Sequence, residues 1–147
     1  MCVAVFKQCE CGSRTVQFHL RDNLLPPEVI TRLFCPCCPG DAPYQPEAMV
    51  NDNGWIIEYD MKLARMALAA KRQLVAEQVK PEFLFDQGYA CWLEMYPGER
   101  EEIREEKKRI VELLQKDQQL YLREIHDWNI TRIARLKSRG WRKAQLA

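Results

Sequence analysis

Five of the seven cysteines in this 147-residue chain fall between positions 9 and 38, in two clusters. The first is CECG at 9–12, and the second lies in FCPCCPG at 34–40. They read as two closely spaced pairs, Cys9-x-Cys11 and Cys35-x-x-Cys38, with 23 residues between Cys11 and Cys35. A structural zinc site takes four thiolate or imidazole ligands in a tetrahedron, with sulfur at about 2.3 Å from the metal. Two tight turns, each presenting two sulfurs, suit that geometry. The metal then clamps turns that a small sheet cannot hold by itself. Gly12 follows the first pair directly, where a tight turn needs a residue free to take positive φ. Pro36 sits inside the second pair and Gly40 closes it. An odd total of seven cysteines argues against a simple disulfide framework.

Other features agree with reduced thiols. MCVAVFK is too short for a secretory leader, and no apolar run approaches the length of a membrane span. A cytoplasmic location is expected, where clustered cysteines read as metal ligands or redox centres before disulfides.

CECG and CPCCPG resemble the two knuckles of the zinc-ribbon and rubredoxin-like folds, over residues 1–60 at most. The resemblance implies a small antiparallel sheet and one structural Zn2+. The ligands are then Cys9, Cys11, Cys35 and Cys38, with Cys37 as the substitute for the fourth. The pattern departs from the family in three ways. A single residue, Glu10, separates the first two cysteines where the family has two; Cys37 is an extra thiol; and a segment read as a short helix lies between the knuckles. An iron centre or reactive thiols is the competing reading of the same cluster. A catalytic zinc needs an open position and a neighbouring acid or base. No His or Glu is suitably placed here, since Glu10 points away if both its neighbours bind.

The expected fold class is α+β, with a zinc-ribbon-like module over 1–60 and an α-helical body over 61–147 that ends in a long helix. In TVQFHLR, Val16, Phe18 and Leu20 alternate with polar residues, as in a half-buried strand. VAVF is its antiparallel partner across the CECGS turn. LLPPEVITRLF reads as a short helix with Val29, Ile30, Leu33 and Phe34 on one side, and GDAPYQPE as a loop. Asn53-Gly54 between apolar flanks marks a hairpin that places Trp55, Ile57 and Tyr59 on one face. From Asp60, a plausible cap, a helix with a broad apolar face is expected to run to Pro81. EFLFDQGYACWLEMY reads as a loop and a short helix packed under the body. An uninterrupted helix of roughly 60 Å is expected from Glu99 to about Ser138, packing on the 60–80 helix. Its apolar residues Ile103, Leu114, Ile125 and Leu136 recur every eleven positions, which does not drive a left-handed coiled coil.

The net charge of +1 gives no overall field for nucleic acid or membrane, but the charge is uneven. Residues 1–60 carry four Lys/Arg against eight Asp/Glu, and residues 99–147 carry thirteen against nine. The tail RIARLKSRGWRKAQLA holds Arg132, Arg135, Lys137, Arg139, Arg142 and Lys143 and no acid. Basic residues neutralise phosphates, and the nearby Trp128 and Trp141 could stack on bases. A basic helix end also simply complements the helix dipole. The run EREEIREEKKR reads as a solvated helix face. His19 reads as solvent-facing, and Cys91 as a buried thiol or a nucleophile partnered by His126. Phosphate-cradling loops, paired zinc-protease histidines and nucleophile elbows do not occur. These features point to a zinc-binding, non-enzymatic adaptor or regulator acting through protein partners. The alternatives are a nucleic-acid-binding protein using the basic helix and a small redox protein.

Overall fold

The computed structural model describes residues 3–38 and 44–146; Gly40 and the front of the loop predicted after it lie outside these. The architecture is mixed α+β, with two three-stranded antiparallel sheets and five helices among the described residues. The chain divides into two compact units, Met1–Leu93 and Glu94–Ala147. The first takes in the helix after Asp60 and the aromatic segment as far as Leu93.

The first unit is built on hairpins. Strands β1 (Val3–Gln8) and β2 (Thr15–Leu20) pair antiparallel with Val5 opposite Phe18 and Gln8 opposite Thr15. The period-2 pattern holds, since Val16, Phe18 and Leu20 are buried and their neighbours are not. Strands β3 (Ile30–Phe34), β4 (Met49–Asp52) and β5 (Trp55–Tyr59) form the second sheet in the order β3-β5-β4. Asn53 (φ 53°) and Gly54 (φ 90°) both adopt the left-handed conformation that a tight two-residue hairpin turn demands. Trp55, Ile57 and Tyr59 share the buried face.

Three segments differ from expectation. Residues 24–34 form no α-helix; a 3-10 turn at Pro27–Val29 leads straight into β3. Pro26 is extended, and Ile30, Arg32, Leu33 and Phe34 find a ladder on β5. Helix α1 (Met61–Arg72) begins where Asp60 accepts from the Leu63 N–H at 3.1 Å. It stops at Gln73, whose left-handed backbone (φ 56°) closes it well before Pro81. Its buried stripe is the narrow set Met61, Ala64 and Leu68, and Met66 is exposed. Pro81 starts helix α2 (Pro81–Asp86), where its missing N–H costs nothing. The chain then adds β6 (Ala90–Trp92) to β2, completing the first sheet as β1-β2-β6.

Trp92 centres the core of this unit. Its ring lies 5.1 Å from Phe18 and meets Trp55 and Phe85 edge-on at 5.8 Å each. Two polar stitches join the sheets through β6. Trp92 Nε1 donates to the buried Asp52 Oδ2 at 2.8 Å, and Tyr59 Oη donates to the Ala90 carbonyl at 2.6 Å. Buried polar groups are tolerated when paired in this way.

In the second unit the expected single helix is broken in two. Helix α3 (Glu99–Glu112) runs into a 3-10 turn at Leu113–Gln115, and helix α4 (Gln118–Arg139) follows. Asp117 is extended (φ −153°, ψ 101°) and accepts from the Leu120 N–H at 3.1 Å, so it caps a new helix. Helix α4 folds back on α3. Gly140 (φ 85°) ends it, and α5 (Arg142–Leu146) follows. Leu136, Ala144 and Tyr96 form a small core, with Trp141 stacked on Tyr96 at 4.9 Å.

Candidate metal centre

The first cysteine pair occupies the β1–β2 turn. Cys9 donates its N–H to the Arg14 carbonyl at 3.0 Å, and Gly12 (φ 76°) donates to the Cys9 carbonyl at 2.9 Å. The second pair directly follows β3, where the Cys38 N–H closes a turn on the Cys35 carbonyl at 3.0 Å. The Glu10 N–H donates to the Leu33 carbonyl at 2.8 Å, so the first turn is pinned to the strand that carries the second.

This local folding brings four sulfurs together. The Sγ atoms of Cys9, Cys11, Cys35 and Cys38 all lie within 4.8 Å of one another. Neighbouring separations are 3.3 Å (Cys9–Cys11), 3.5 Å (Cys11–Cys35) and 3.4 Å (Cys35–Cys38). A tetrahedron with sulfurs about 2.3 Å from its centre has edges of about 3.8 Å, so the cluster is near the size a zinc ion needs. The four cysteines are positioned to hold a metal ion. Cys37, read as the substitute ligand, is exposed and outside the group.

The surroundings act unequally on the four thiols. Each of the four sulfurs receives a backbone N–H: Cys9 from Arg14, Cys11 from Ser13, Cys35 from Cys37, and Cys38 from Cys35 at 3.2 Å. Such bonds orient ligands and stabilise their charged form. The Ser13 hydroxyl, 2.9 Å from Cys11 Sγ, and then the Ser13 N–H lower the Cys11 pKa to about 6. Burial pushes the Cys35 thiol up to about 12, with help from its hydrogen bonds to Cys38 and Cys11. Burial also opposes ionisation of Cys9, and its hydrogen bond with Cys11 does the same. The Arg14 N–H, the Ser13 hydroxyl and Cys35 turn its net shift downward. Four like charges at these distances repel, and a divalent cation among them is what allows all four to ionise. The donor set therefore fits a tetrathiolate metal, and four protein ligands close its shell.

The other residues singled out in the sequence are placed differently. His19 is half-buried and stands opposite Cys91 in the β2–β6 register. Cys91 is buried and donates to the Trp92 carbonyl at 3.5 Å, while His126 is exposed on α4.

Much of the basic tail is engaged within its own unit. Arg132 reaches Glu99 at 3.4 Å, Arg135 reaches Glu102 at 3.4 Å and Glu106 at 2.6 Å, and Arg139 reaches Glu102 at 3.8 Å. Lys143 donates to the Glu94 carbonyl at 3.0 Å. Arg142 is half-buried and Lys137 is exposed. Trp128 donates to Glu106 at 2.9 Å and sits under Lys107 and Arg132. The acidic run on α3, which read as a solvated face, is the partner of the basic one.

Sequence reasoning missed two residues that matter structurally. Asp52 was not singled out, although it is buried and accepts from the Trp92 indole. Ser13 read as turn filler, although its hydroxyl lies near three of the four sulfurs. A polar residue two positions after a ligand cysteine was the available signal.

No helix among the described residues is long and apolar enough to cross a membrane. No family model, curated protein or solved structure matches this chain.

Proposed function

We propose that this chain is a zinc-binding, non-enzymatic adaptor or regulatory protein of a reducing compartment such as the cytoplasm, acting through protein partners. The convergence of Cys9, Cys11, Cys35 and Cys38 within 4.8 Å carries the reading. A closed set of four thiolates supports a structural ion, because it leaves no position for substrate. The ion ties the β1–β2 turn to the end of β3 and so stiffens the first unit as a recognition surface. Contact with other proteins is supported by the apolar side chains that α4 presents to solvent, Leu122, Ile130 and Ile133. The ion pairs of Arg132, Arg135 and Arg139 leave fewer free cations for phosphate than the tail's composition suggests.

The test is metal content and absorbance after anaerobic purification, followed by partner capture. One colourless zinc per chain is expected, with a partner lost on Ile130→Glu/Ile133→Glu while the zinc stays. Iron with visible colour would replace this reading with electron transfer. Salt-sensitive binding of nucleic acid, abolished by neutralising the tail, would move the function to the basic helix.

A further inference from the structure

We infer that Ser13 is the positioning residue for the one exposed arm of the metal centre, and that metal enters and leaves by release of the Cys11 sulfur. This rests on the metal-binding reading above. The four sulfurs are not equivalent. Cys9 and Cys35 are each only 3% exposed, so an incoming chelator cannot approach them directly. Cys38 is half-buried and tied twice to Cys35, through its own N–H and through the Cys35 N–H on its sulfur. Cys11 is exposed, at the tip of a turn whose next residue is a positive-φ glycine. A competing ligand therefore meets the centre at Cys11 first.

What restrains Cys11 is Ser13. Its Oγ lies 2.9 Å from Cys11 Sγ, 3.8 Å from Cys9 Sγ and 4.0 Å from Cys35 Sγ. The hydroxyl caps the face formed by these three sulfurs, and its shortest contact is with the exposed one. A hydroxyl has a single proton to donate, and here it goes to the Cys11 thiolate. That bond fixes the side chain in its ligating orientation, as outer-shell partners of metal ligands do. Release is then a ligand exchange without redox change. The metal–sulfur bond at Cys11 breaks with its electron pair left on the sulfur, and a bond from the incoming chelator to the metal replaces it.

The experiment loads the full chain with zinc and follows transfer of zinc to an excess of a chromogenic pyridylazo chelator. Near-ultraviolet circular dichroism confirms the fold of each variant. Ser13→Ala is expected to speed transfer about 10- to 100-fold, the usual loss on removing an outer-shell partner. Ser13→Thr keeps the hydroxyl and is expected to stay near the wild-type rate. Cys37→Ser, outside the cluster, should change nothing. Loss of zinc from Ser13→Ala with retention in Ser13→Thr would also support the assignment. Transfer from folded, zinc-loaded Ser13→Ala at the wild-type rate would overturn it while leaving the metal reading intact. A wild-type chain that holds no zinc would overturn both.

Discussion

Stripping the metal should lower the stability of the first unit by an amount that its loop length sets. The clamp joins turns separated by the 23 residues between Cys11 and Cys35. A cross-link over a loop of this size removes about 3–4 kcal/mol of chain entropy from the unfolded state. This is a floor, because excess free zinc adds further stabilisation by mass action. For a unit of this size each kcal/mol moves Tm by about 4–8 °C, so a fall of about 12–32 °C is expected. The unit should not collapse altogether, because its aromatic core around Trp92, with Phe18, Trp55 and Phe85, lies in the packed strands and helix rather than in the knuckles. The assay is a thermal melt in near-ultraviolet circular dichroism, which reports the packing of Trp55 and Trp92, before and after chelation under reducing conditions. Elemental analysis confirms removal. Cys35→Ser should reproduce the shift, and Cys37→Ser should not. A Tm that moves by less than about 5 °C once the metal is gone would refute the view that the cluster clamps the two turns.

Other expectations follow from single contacts. Asp52→Ala leaves the Trp92 indole N–H buried without this acceptor and should cost about 1–3 kcal/mol in urea denaturation, with Asp52→Asn milder because it keeps an oxygen. Asp117→Ala removes the cap that starts α4 and should cost about 1 kcal/mol, read as a lower midpoint for loss of helical ellipticity. Burial opposes ionisation of Glu106, but hydrogen bonds from Arg135 and Trp128 outweigh it and hold the carboxyl below its ordinary range. A depressed carboxyl binds fewer protons folded than unfolded. Its contribution is therefore complete above the ordinary carboxylate pKa and is lost as pH falls through the folded value. An acid titration of helical signal should show this loss in the wild type and a flatter profile in Glu106→Gln.

The features legible in the sequence are those that local rules decide. The β1–β2 and β4–β5 hairpins were readable because alternation and an Asn-Gly turn are written within a few residues. The cysteine cluster was readable because two short spacings already place sulfurs in pairs. Strand β3 was not, since Val29, Ile30, Leu33 and Phe34 satisfy a helical spacing as well as a strand, and only the ladder with β5 decides between them. Three-residue β6 is too short to show a period, yet it carries Trp92 and both polar stitches. The break at Asp117 was hidden because an aspartate inside a periodic run looks like a surface residue until the chain turns there. Asp52 and Ser13 depend on partners that folding supplies, and no pattern within one segment announces them.

The charge runs of the second unit show the same dependence and bear on what the unit can bind. Glu99, Glu102 and Glu106 repeat at i, i+3 and i+7, and so do Arg132, Arg135 and Arg139. Each set lines one face of its helix, and the fold-back at Asp117 turns the two faces together. The part-exposed pairs of Arg135 and Arg139 contribute little to stability, so their physical consequence is orientation, while Arg132–Glu99 is largely buried. They favour the arrangement in which α4 turns its basic face toward α3, and that choice dictates what α4 leaves outside. Arg132 is buried, while Leu122, Ile130 and Ile133 are about half exposed or more. A polyanion would have to displace three carboxylates before it reached these arginines. A partner with an apolar surface would meet leucine and isoleucine at once, and this asymmetry is what the proposed protein contact draws on.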